Sequence, residues 1–493
     1  MTHTLSLLVP VAAPLAAAGL YAAAGWRRST AWMGVVTTAL LLADAAGLAR
    51  TVLREGPIQT AGGLLRADAL SAWMLLAIAA VALLVCWASP AYLAAARTEA
   101  RRARWYGILM HLFIAAMATA VLAGNLGVLW VAIEATTIFT AFLVGHHRTR
   151  TALEAAWKYV VICSAAIAIA FLGLVLLYYA ARHAGLDSDR ALDWISLTGH
   201  AHQLDPAVTR IAAGLAVVGF GAKAGLVPLH AWLPDAHSQA PAPVSALMSG
   251  VLLSVAFYAV LRVKAIADPT VGPAYLRTVL LILALATLAL AAVLLIGQQD
   301  YKRMLAYSSM EHMGLIALAA AVGSRVAIAA LLLHIAGHGV AKTVAFLSAG
   351  QILHHYATTQ ITGVRALATR LPVLAGLFGL ALLALFGFPP AATFASELGI
   401  VRASFASGLG WAVAAAIVLV VVAFAALAAH GARMLLGPAA DSATVGAGDR
   451  SGAVALSGAI PLIVGLAVVT ALGISLGPLD GLLHAAAAIV GAP

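Results

Sequence analysis

Apolar stretches long enough to cross a bilayer, about 20 residues each, follow one another along almost all of this 493-residue chain. About fourteen are legible, near 3–24, 31–53, 68–95, 106–123, 124–145, 159–181, 208–228, 240–263, 275–297, 304–323, 326–353, 372–404, 409–436 and 455–488. Segments of that length, each satisfying its own backbone within lipid, predict an all-α polytopic membrane protein with about fourteen transmembrane helices. Two segments are interrupted alike: the seventh by GLVPLHAWLP (Gly225 to Pro234), the twelfth within FGFPPAATFASE (Phe386 to Glu397). Gly/Pro breaks at matching places of two halves point to an inverted-repeat transporter with its site at the breaks. The expected layout is N-terminal helices one to three over 1–104, a first five-helix repeat over 105–266, a second, inverted repeat over 267–436, and helix fourteen over 437–493.

Composition narrows the function. Hydrophobic residues make up 63% of the chain and charged residues 9%, against about 25% charged in a soluble domain. No polar segment is large enough for a soluble domain. The first segment is too long and too weakly flanked by basic residues for a cleaved signal peptide, and reads as helix one. The net charge of +10 reflects loop arginines and implies no nucleic-acid partner. Basic residues gather after helices one (Arg27, Arg28), three (Arg97, Arg101, Arg102, Arg104), five (Arg148, Arg150), nine (Lys302, Arg303), eleven (Arg365, Arg370) and thirteen (Arg433, Arg450). That pattern puts both termini on the outer face of a bacterial or archaeal inner membrane. The loop with Arg50, Arg54 and Arg66, and the pair Arg262/Lys264 after helix eight, run against it. The cysteines, Cys86 and Cys163, lie in apolar helices and build neither a disulfide framework nor a four-thiolate cluster site. No GxGxxG, Walker loop or CxxC occurs. No cofactor or catalytic centre is expected, so the energy for any transport comes from elsewhere.

Against this background each ionisable residue in an apolar segment is a candidate site, because charge in lipid is costly and usually faces a polar path or a partner. Lys223 stands at the entrance to the seventh-segment break and Glu134 in the middle of LGVLWVAIEATTIFTAFLV. Lys223 reads either as a snorkelling lysine or as a proton carrier. Glu134 reads as a hydrogen-bonding carboxylate between helices or as the partner of Lys223, and the pair as an electrostatic switch is the favoured reading. His334, His338 and Lys342 recur every four residues and share a helix face. They are core histidines or a proton relay. Two histidines at that spacing suit zinc, but no third ligand is apparent in the sequence, and no metal is expected. Gly337 and Gly339 around His338 could loosen the helix for water. Glu397 follows the twelfth-segment break, either as a helix-start carboxylate or as a gate. Lys158 lies four residues after Glu154, which fits a surface bridge as well as a role in transport. His230, Asp235 and His237 sit on the first break, where they line a water path or cap helices; Glu311 and His312 carry polar groups into helix ten. Lys264 and His430 are expected at helix ends, in the interface.

The stretches KAGLVPLHAWLPDAH (223–237), APAPVSALMSG (240–250), DYKRMLAYSSMEHMG (300–314) and HIAGHGVAKTVAFLSAG (334–350) resemble the antiporter-like membrane subunits of respiratory complex I, Mrp-type antiporters and group 4 hydrogenases. ALEAAWKYVVICS (152–164) and YSSMEHMG (307–314) look most like the F branch of the hydrogenase-4 membrane subunits. The resemblance covers roughly residues 65–435 and implies fourteen helices, a Glu134–Lys223 ion pair, a hydrophilic axis through His334, His338 and Lys342, and a terminal group at Glu397. It also implies membrane and peripheral redox subunits as partners, with H⁺ as the ion, or Na⁺ if the chain is of the Mrp kind. A proton-conducting subunit of an inorganic-carbon uptake complex is the other alternative. Two departures stand out. Ser254 occupies a place where many relatives carry lysine, and the long lateral C-terminal helix of one complex I subunit is not expected, since the chain ends about where helix fourteen does.

Overall fold

A computed structural model describes residues 2–438 and 456–492, nearly all of them helical. In chain order the helices are α1 (Thr2–Ala24), α2 (Met33–Glu55), α3 (Ala69–Ala95), α4 (Ala100–Leu122), α5 (Leu126–Val144), α6 (Arg150–His183), α7 (Trp194–Gly199), α8 (Pro206–Lys223), α9 (Trp232–Gln239) and α10 (Ala242–Leu247). They continue with α11 (Leu253–Val271), α12 (Pro273–Ile296), α13 (Tyr301–Val322), α14 (Arg325–Tyr356), α15 (Leu367–Arg370), α16 (Pro372–Leu385), α17 (Ala392–Ala406), α18 (Gly410–Leu436), α19 (Leu456–Ile474) and α20 (Asp480–Val490). Among the described residues, eleven helices are long and apolar enough to cross a membrane, and the pair Gly458–Ile474 and Gly477–Val490, bent by 63°, has the length and apolarity of a twelfth if it is one broken span. The interrupted α8–α9 and α16–α17 account for the other two of the fourteen segments expected. This is a multi-pass membrane protein. A short antiparallel hairpin, β1 (Ile58–Thr60) with β2 (Leu65–Ala67), follows α2 and was not expected from the sequence.

Helix starts are written in the sequence. The side chains of Asp68, Asn125, Thr149, Asp205, Asp300 and Ser324 accept hydrogen bonds from first-turn N–H groups of α3, α5, α6, α8, α13 and α14, satisfying donors that the helix itself leaves open. Several helices begin earlier than hydropathy suggests. α4 takes in Arg101, Arg102 and Arg104, and α6 starts at Arg150, because arginine is a good helix former whose charge reaches water from a helix end.

The two breaks share a local build. In each, the helix ends two residues before a glycine with positive φ, Gly225 (+88°) or Gly387 (+63°), and a cis proline follows three residues after that glycine, Pro228 or Pro390.

Helix α14 is the hub, packing on α3, α10, α13, α16, α17, α19 and α20. It runs unbroken through Gly337 and Gly339, so these do not loosen it. They allow close approach instead: a Cβ at Gly339 would lie 2.6 Å from the carbonyl oxygen of Gly250, and one at Gly337 would lie 2.8 Å from Cβ of Ala392. Small residues let helices meet backbone to backbone where lipid removes the hydrophobic drive for association. Gly250 belongs to a π-helical turn, Met248–Leu252, joining α10 to α11.

Arg262 and Lys264 were expected after helix eight, and Lys264 with His430 in the interface. All three are buried. α11 extends to Val271 and encloses the two cations. Arg262 binds Asp68 in a fork at 2.8 Å and 2.8 Å, donates to Ser71 Oγ at 2.9 Å and Tyr258 OH at 2.9 Å, and lies 4.1 Å from the Trp194 ring centre. Tyr258 OH donates in turn to the Val121 carbonyl. Lys264 pairs with Asp268 one turn on, and His430 reaches the Leu295 carbonyl at 3.0 Å. These cations are neutralised inside the protein and carry no weight in a count of loop charges. The Arg262–Asp68 lock ties α3 to α4, α7 and α11. Arg262→Met strands a carboxylate with 3% exposed side chain and should cost about 3–5 kcal/mol, read as a lowered unfolding midpoint of the detergent-solubilised protein.

Candidate functional site

Away from the Arg262–Asp68 lock, the buried polar side chains nearest the breaks fall into three groups, one at each helix break and one between them.

At the first break, Lys223 is the last residue of α8 and is wholly buried. Its ammonium donates to Thr137 Oγ1 at 2.9 Å and to Tyr159 OH at 2.5 Å, and sits 4.5 Å from the Tyr159 ring centre. Trp232, across the break, closes the cage by donating its indole N–H to the Ala222 carbonyl. Glu134, one turn before Thr137 on α5, accepts from Thr137 Oγ1 at 3.3 Å and from Ser164 Oγ at 2.8 Å. The Glu134–Lys223 ion pair implied by the resemblance is thus not a direct contact. The Thr137 hydroxyl stands between, accepting from the ammonium while donating to the carboxylate, as a hydroxyl with one proton and two lone pairs can.

Between the breaks, Lys342 on α14 is wholly buried, donating to the Leu305 carbonyl at 2.8 Å and to Ser308 Oγ. Lys302 was expected in a basic loop, but α13 begins at Tyr301 and buries it. Its ammonium holds the Ser238 and Ala240 carbonyls at 2.8 Å and 2.7 Å, where the end of α9 leaves acceptors open. His237 stacks on Phe346 with ring centres 5.3 Å apart, and neither ring nitrogen has a partner. Ser249, in the π turn, shares a hydrogen bond with Ser309 at 2.7 Å. Ser254 is buried and its hydroxyl is unpartnered.

At the second break, His312 Nδ1 lies 3.0 Å from His334 Nε2, and His334 Nδ1 lies 2.9 Å from Ser396 Oγ. Ser396 gives its single proton to the Thr393 carbonyl at 2.8 Å. His334 Nδ1 therefore carries the proton in that bond, its Nε2 is the acceptor, and His312 Nδ1 is the donor to it. A neutral His312 then presents an open lone pair at Nε2, an atom without a partner. His338 lies with its ring centre 4.6 Å from that of His312, and both its nitrogens are unpartnered. The carboxylate of Glu397, on α17, lies against Gly387, in the space that a Cβ there would fill. Glu311 is buried beside His312 in sequence on α13.

The sequence-predicted residues thus separate. Glu134 and Lys223 meet through Thr137, and His312, His334, His338 and Glu397 converge. Lys342 bonds α13 between these ends. Lys158 and Asp235 belong elsewhere: Lys158, with 48% of its side chain exposed, bridges Glu154 at 2.7 Å and Asp235 at 3.3 Å, and Asp235 also holds Arg303 at 2.8 Å. That is a clamp of α9 to α6 and α13. His230 lies half-buried on the first break. Thr137, Tyr159, Ser164, Lys302 and Ser396 were missed. Thr137 had a signal, since position i+3 from Glu134 shares its helix face.

Residues 123–423 match the family described as NADH:quinone oxidoreductase/Mrp antiporter, TM, a range that holds every group above from Glu134 to Glu397. The chain belongs to this family. Among its relatives, the hydrogenase-4 component F homolog of Methylacidiphilum infernorum is 37% identical over 303 residues, covering 62% of this chain and 64% of that protein. Hydrogenase-4 component B of Escherichia coli is 31% identical over 353 residues, 69% of this chain and 51% of that protein. The chain therefore spans less than two thirds of either relative's length. In three dimensions it matches a chain of the archaeal membrane-bound sulfane sulfur reductase with a TM-score of 0.87 at 25% identity, covering 99% of this chain and 97% of that one. It matches a chain of the Mrp complex from Dietzia with a TM-score of 0.86 at 24% identity, covering 99% and 98%. The antiporter-like fold and family expected from the motifs hold.

The Thr137 bridge makes a local prediction. Thr137→Val keeps the shape but leaves Lys223 one acceptor fewer in a wholly buried site, which should cost about 1–3 kcal/mol in thermal unfolding. Tyr159→Phe should cost a similar amount. The double variant should fall below the sum of the two if water enters to solvate the ammonium.

Proposed function

We propose that this chain is the proton-translocating membrane subunit of a hydrogenase-4-like or other complex-I-like redox assembly. The observation that carries the reading is Lys223: a wholly buried ammonium at a helix break, held by two hydroxyls and joined to a carboxylate through one of them. A lysine held by a neutral oxygen can release its proton without leaving a carboxylate unpaired beside it, and Thr137 lets the charge on Glu134 act on it one bond away. A redox event in partner subunits perturbs Glu134; Lys223 then exchanges its proton along the buried row through Lys342 and the histidines, and Glu397 serves the far end. Moving one charge against the membrane potential takes about 2.3 kcal/mol per 100 mV, which the partner subunits supply. A buried polar set made chiefly of lysine and histidine favours H⁺, where a hard cation such as Na⁺ would want several oxygen ligands.

The same reading assigns the layout. Helices α1–α3 precede a first unit from α4 to α11, and a second, inverted unit runs from α12 to α18, with Gly225/Pro228 and Gly387/Pro390 as equivalent points. It also puts the protein in a bacterial or archaeal inner membrane with both termini outside. Removing the buried Arg262 and Lys264 from the loop count removes one of the two exceptions to that orientation.

The test is the assembly itself. Purified from native membranes in mild detergent, the complex should carry nickel–iron hydrogenase-like and iron–sulfur subunits at fixed ratio by mass spectrometry. Reconstituted into vesicles, Lys223→Ala and Glu134→Gln should abolish redox-driven acidification, and Thr137→Val should slow it by about tenfold or more, the worth of one hydrogen bond of about 1.4 kcal/mol. A complex without any redox subunit overturns the reading in favour of an Mrp-type antiporter or a carbon-uptake assembly.

A further inference from the structure

The sequence offered two histidines at metal-binding spacing and no third ligand. The fold brings the missing ones. One ligand atom from each of His312, His334 and Glu397 lies within 4.8 Å of the others, on three separate helices, α13, α14 and α17. We infer that these three side chains form a binding site for a divalent transition ion of the zinc class.

Four features of the site carry the assignment. The donor set, two imidazoles and a carboxylate, suits zinc and its neighbours, whereas magnesium and calcium take oxygen ligands. The spacing is close to what is required: ligands at about 2.0–2.2 Å from a tetrahedral ion stand about 3.3–3.6 Å apart, and His312 Nδ1 to His334 Nε2 is 3.0 Å, with the His312 proton moving to its unpartnered Nε2 as the ion takes Nδ1. Closing the carboxylate onto them needs a side-chain movement on the order of 1 Å. His334 is already oriented, because its Nδ1–H donates to Ser396 Oγ and so turns the Nε2 lone pair inward, the arrangement that orients ligating histidines generally. His338 lies beside the three ligands, wholly buried, with neither ring nitrogen partnered and its ring centre 4.6 Å from that of His312 and 6.2 Å from that of His334.

Gly387, Phe388, Pro389 and Pro390 lie at or near the surface, and the Glu397 carboxylate is half-buried against Gly387. A side chain at Gly387 would occupy the carboxylate's place. An ion bound here takes the His334 Nε2 lone pair that accepts the His312 hydrogen bond, and so cuts the buried row. That consequence rests on the proposed proton route; the binding itself does not.

Cobalt(II) is the probe, added to the intact detergent-purified complex after chelator treatment. One equivalent per chain should give the intense visible ligand-field bands of a four-coordinate ion, and Zn²⁺ should displace it mole for mole. His334→Gln and Glu397→Gln should abolish the bands. Ser396→Ala, which keeps every ligand and removes only the orienting hydroxyl, should weaken cobalt binding by about 10–100-fold. His354→Gln/His355→Gln, at an adjacent pair on the last turn of α14, should leave the bands unchanged. Absence of bands at micromolar cobalt, or bands unaltered in both Glu397→Gln and Ser396→Ala, overturns the site. Zinc should also stop acidification in vesicles. Binding without that loss would overturn the block, and the proton route through His334 with it, while leaving the metal site standing.

Discussion

A cation taken out of water must find its hydrogen bonds in the protein, and this structure is arranged around five that do. Arg262 and Lys264 are met by carboxylates, Asp68 and Asp268. Lys302 is met by two backbone carbonyls, Lys342 by a carbonyl and a hydroxyl, Lys223 by two hydroxyls. The nature of the partner divides them. A guanidinium forked onto a buried carboxylate is a permanent tie between helices, since neither charge can change without stranding the other. An ammonium held by neutral oxygens leaves no orphan charge when its proton departs. The three lysines with neutral partners are also the ones that lie along the breaks and the hub helix, so the proposed division between scaffold and path follows from what each cation touches.

The helix breaks are what make such partners available. A continuous transmembrane helix uses nearly all its own carbonyls, while an interrupted one leaves several open at each end. Lys302 binds two of them at the end of α9, which fixes the first break against α13. The second break opens space in a different way: with no side chain at Gly387, the carboxylate of Glu397 lies over the break in the room that a Cβ would take. Close packing around α14 supplies the rigidity these arrangements need. Where Gly250 and Gly339 meet backbone to backbone, the π turn that carries Ser249 is pressed against the helix that carries His338 and Lys342.

The sequence showed charges well and their surroundings poorly. Lipid excludes charge so strongly that Glu134, Lys223, His334, His338, Lys342 and Glu397 each stood out from their own segments, and the succession of apolar helices with both breaks was legible for the same reason. The neutral groups were not. Thr137, Tyr159 and Ser396 are unremarkable in an apolar helix, and only the fold shows that they bridge. Long-range pairing misled the reading of Arg262, whose counter-charge lies 194 residues earlier in the chain. Without Asp68 in view, an arginine near the end of an apolar stretch looks like a loop residue. The partners of His334 were hidden likewise, since His312 is 22 residues and Ser396 62 residues away from it in the chain.

The hydrogen-bond directions at the second break limit how that end of the row can work. Ser396 spends its proton on the Thr393 carbonyl, so the chain points one way, from His312 through His334 to Ser396. Ser396 cannot take a further proton without giving one up, and its acceptor is a backbone carbonyl with no proton affinity to spare. A proton arriving at the open Nε2 of His312 would therefore travel as far as His334 and stop there as an imidazolium. Onward transfer has to leave by the side, to a group outside the chain, and Glu397 is the carboxylate within reach of both rings. The serine then acts as an anchor that fixes which nitrogen of His334 faces the carboxylate. On the proposed route, the terminal step is set by a residue that never carries the proton.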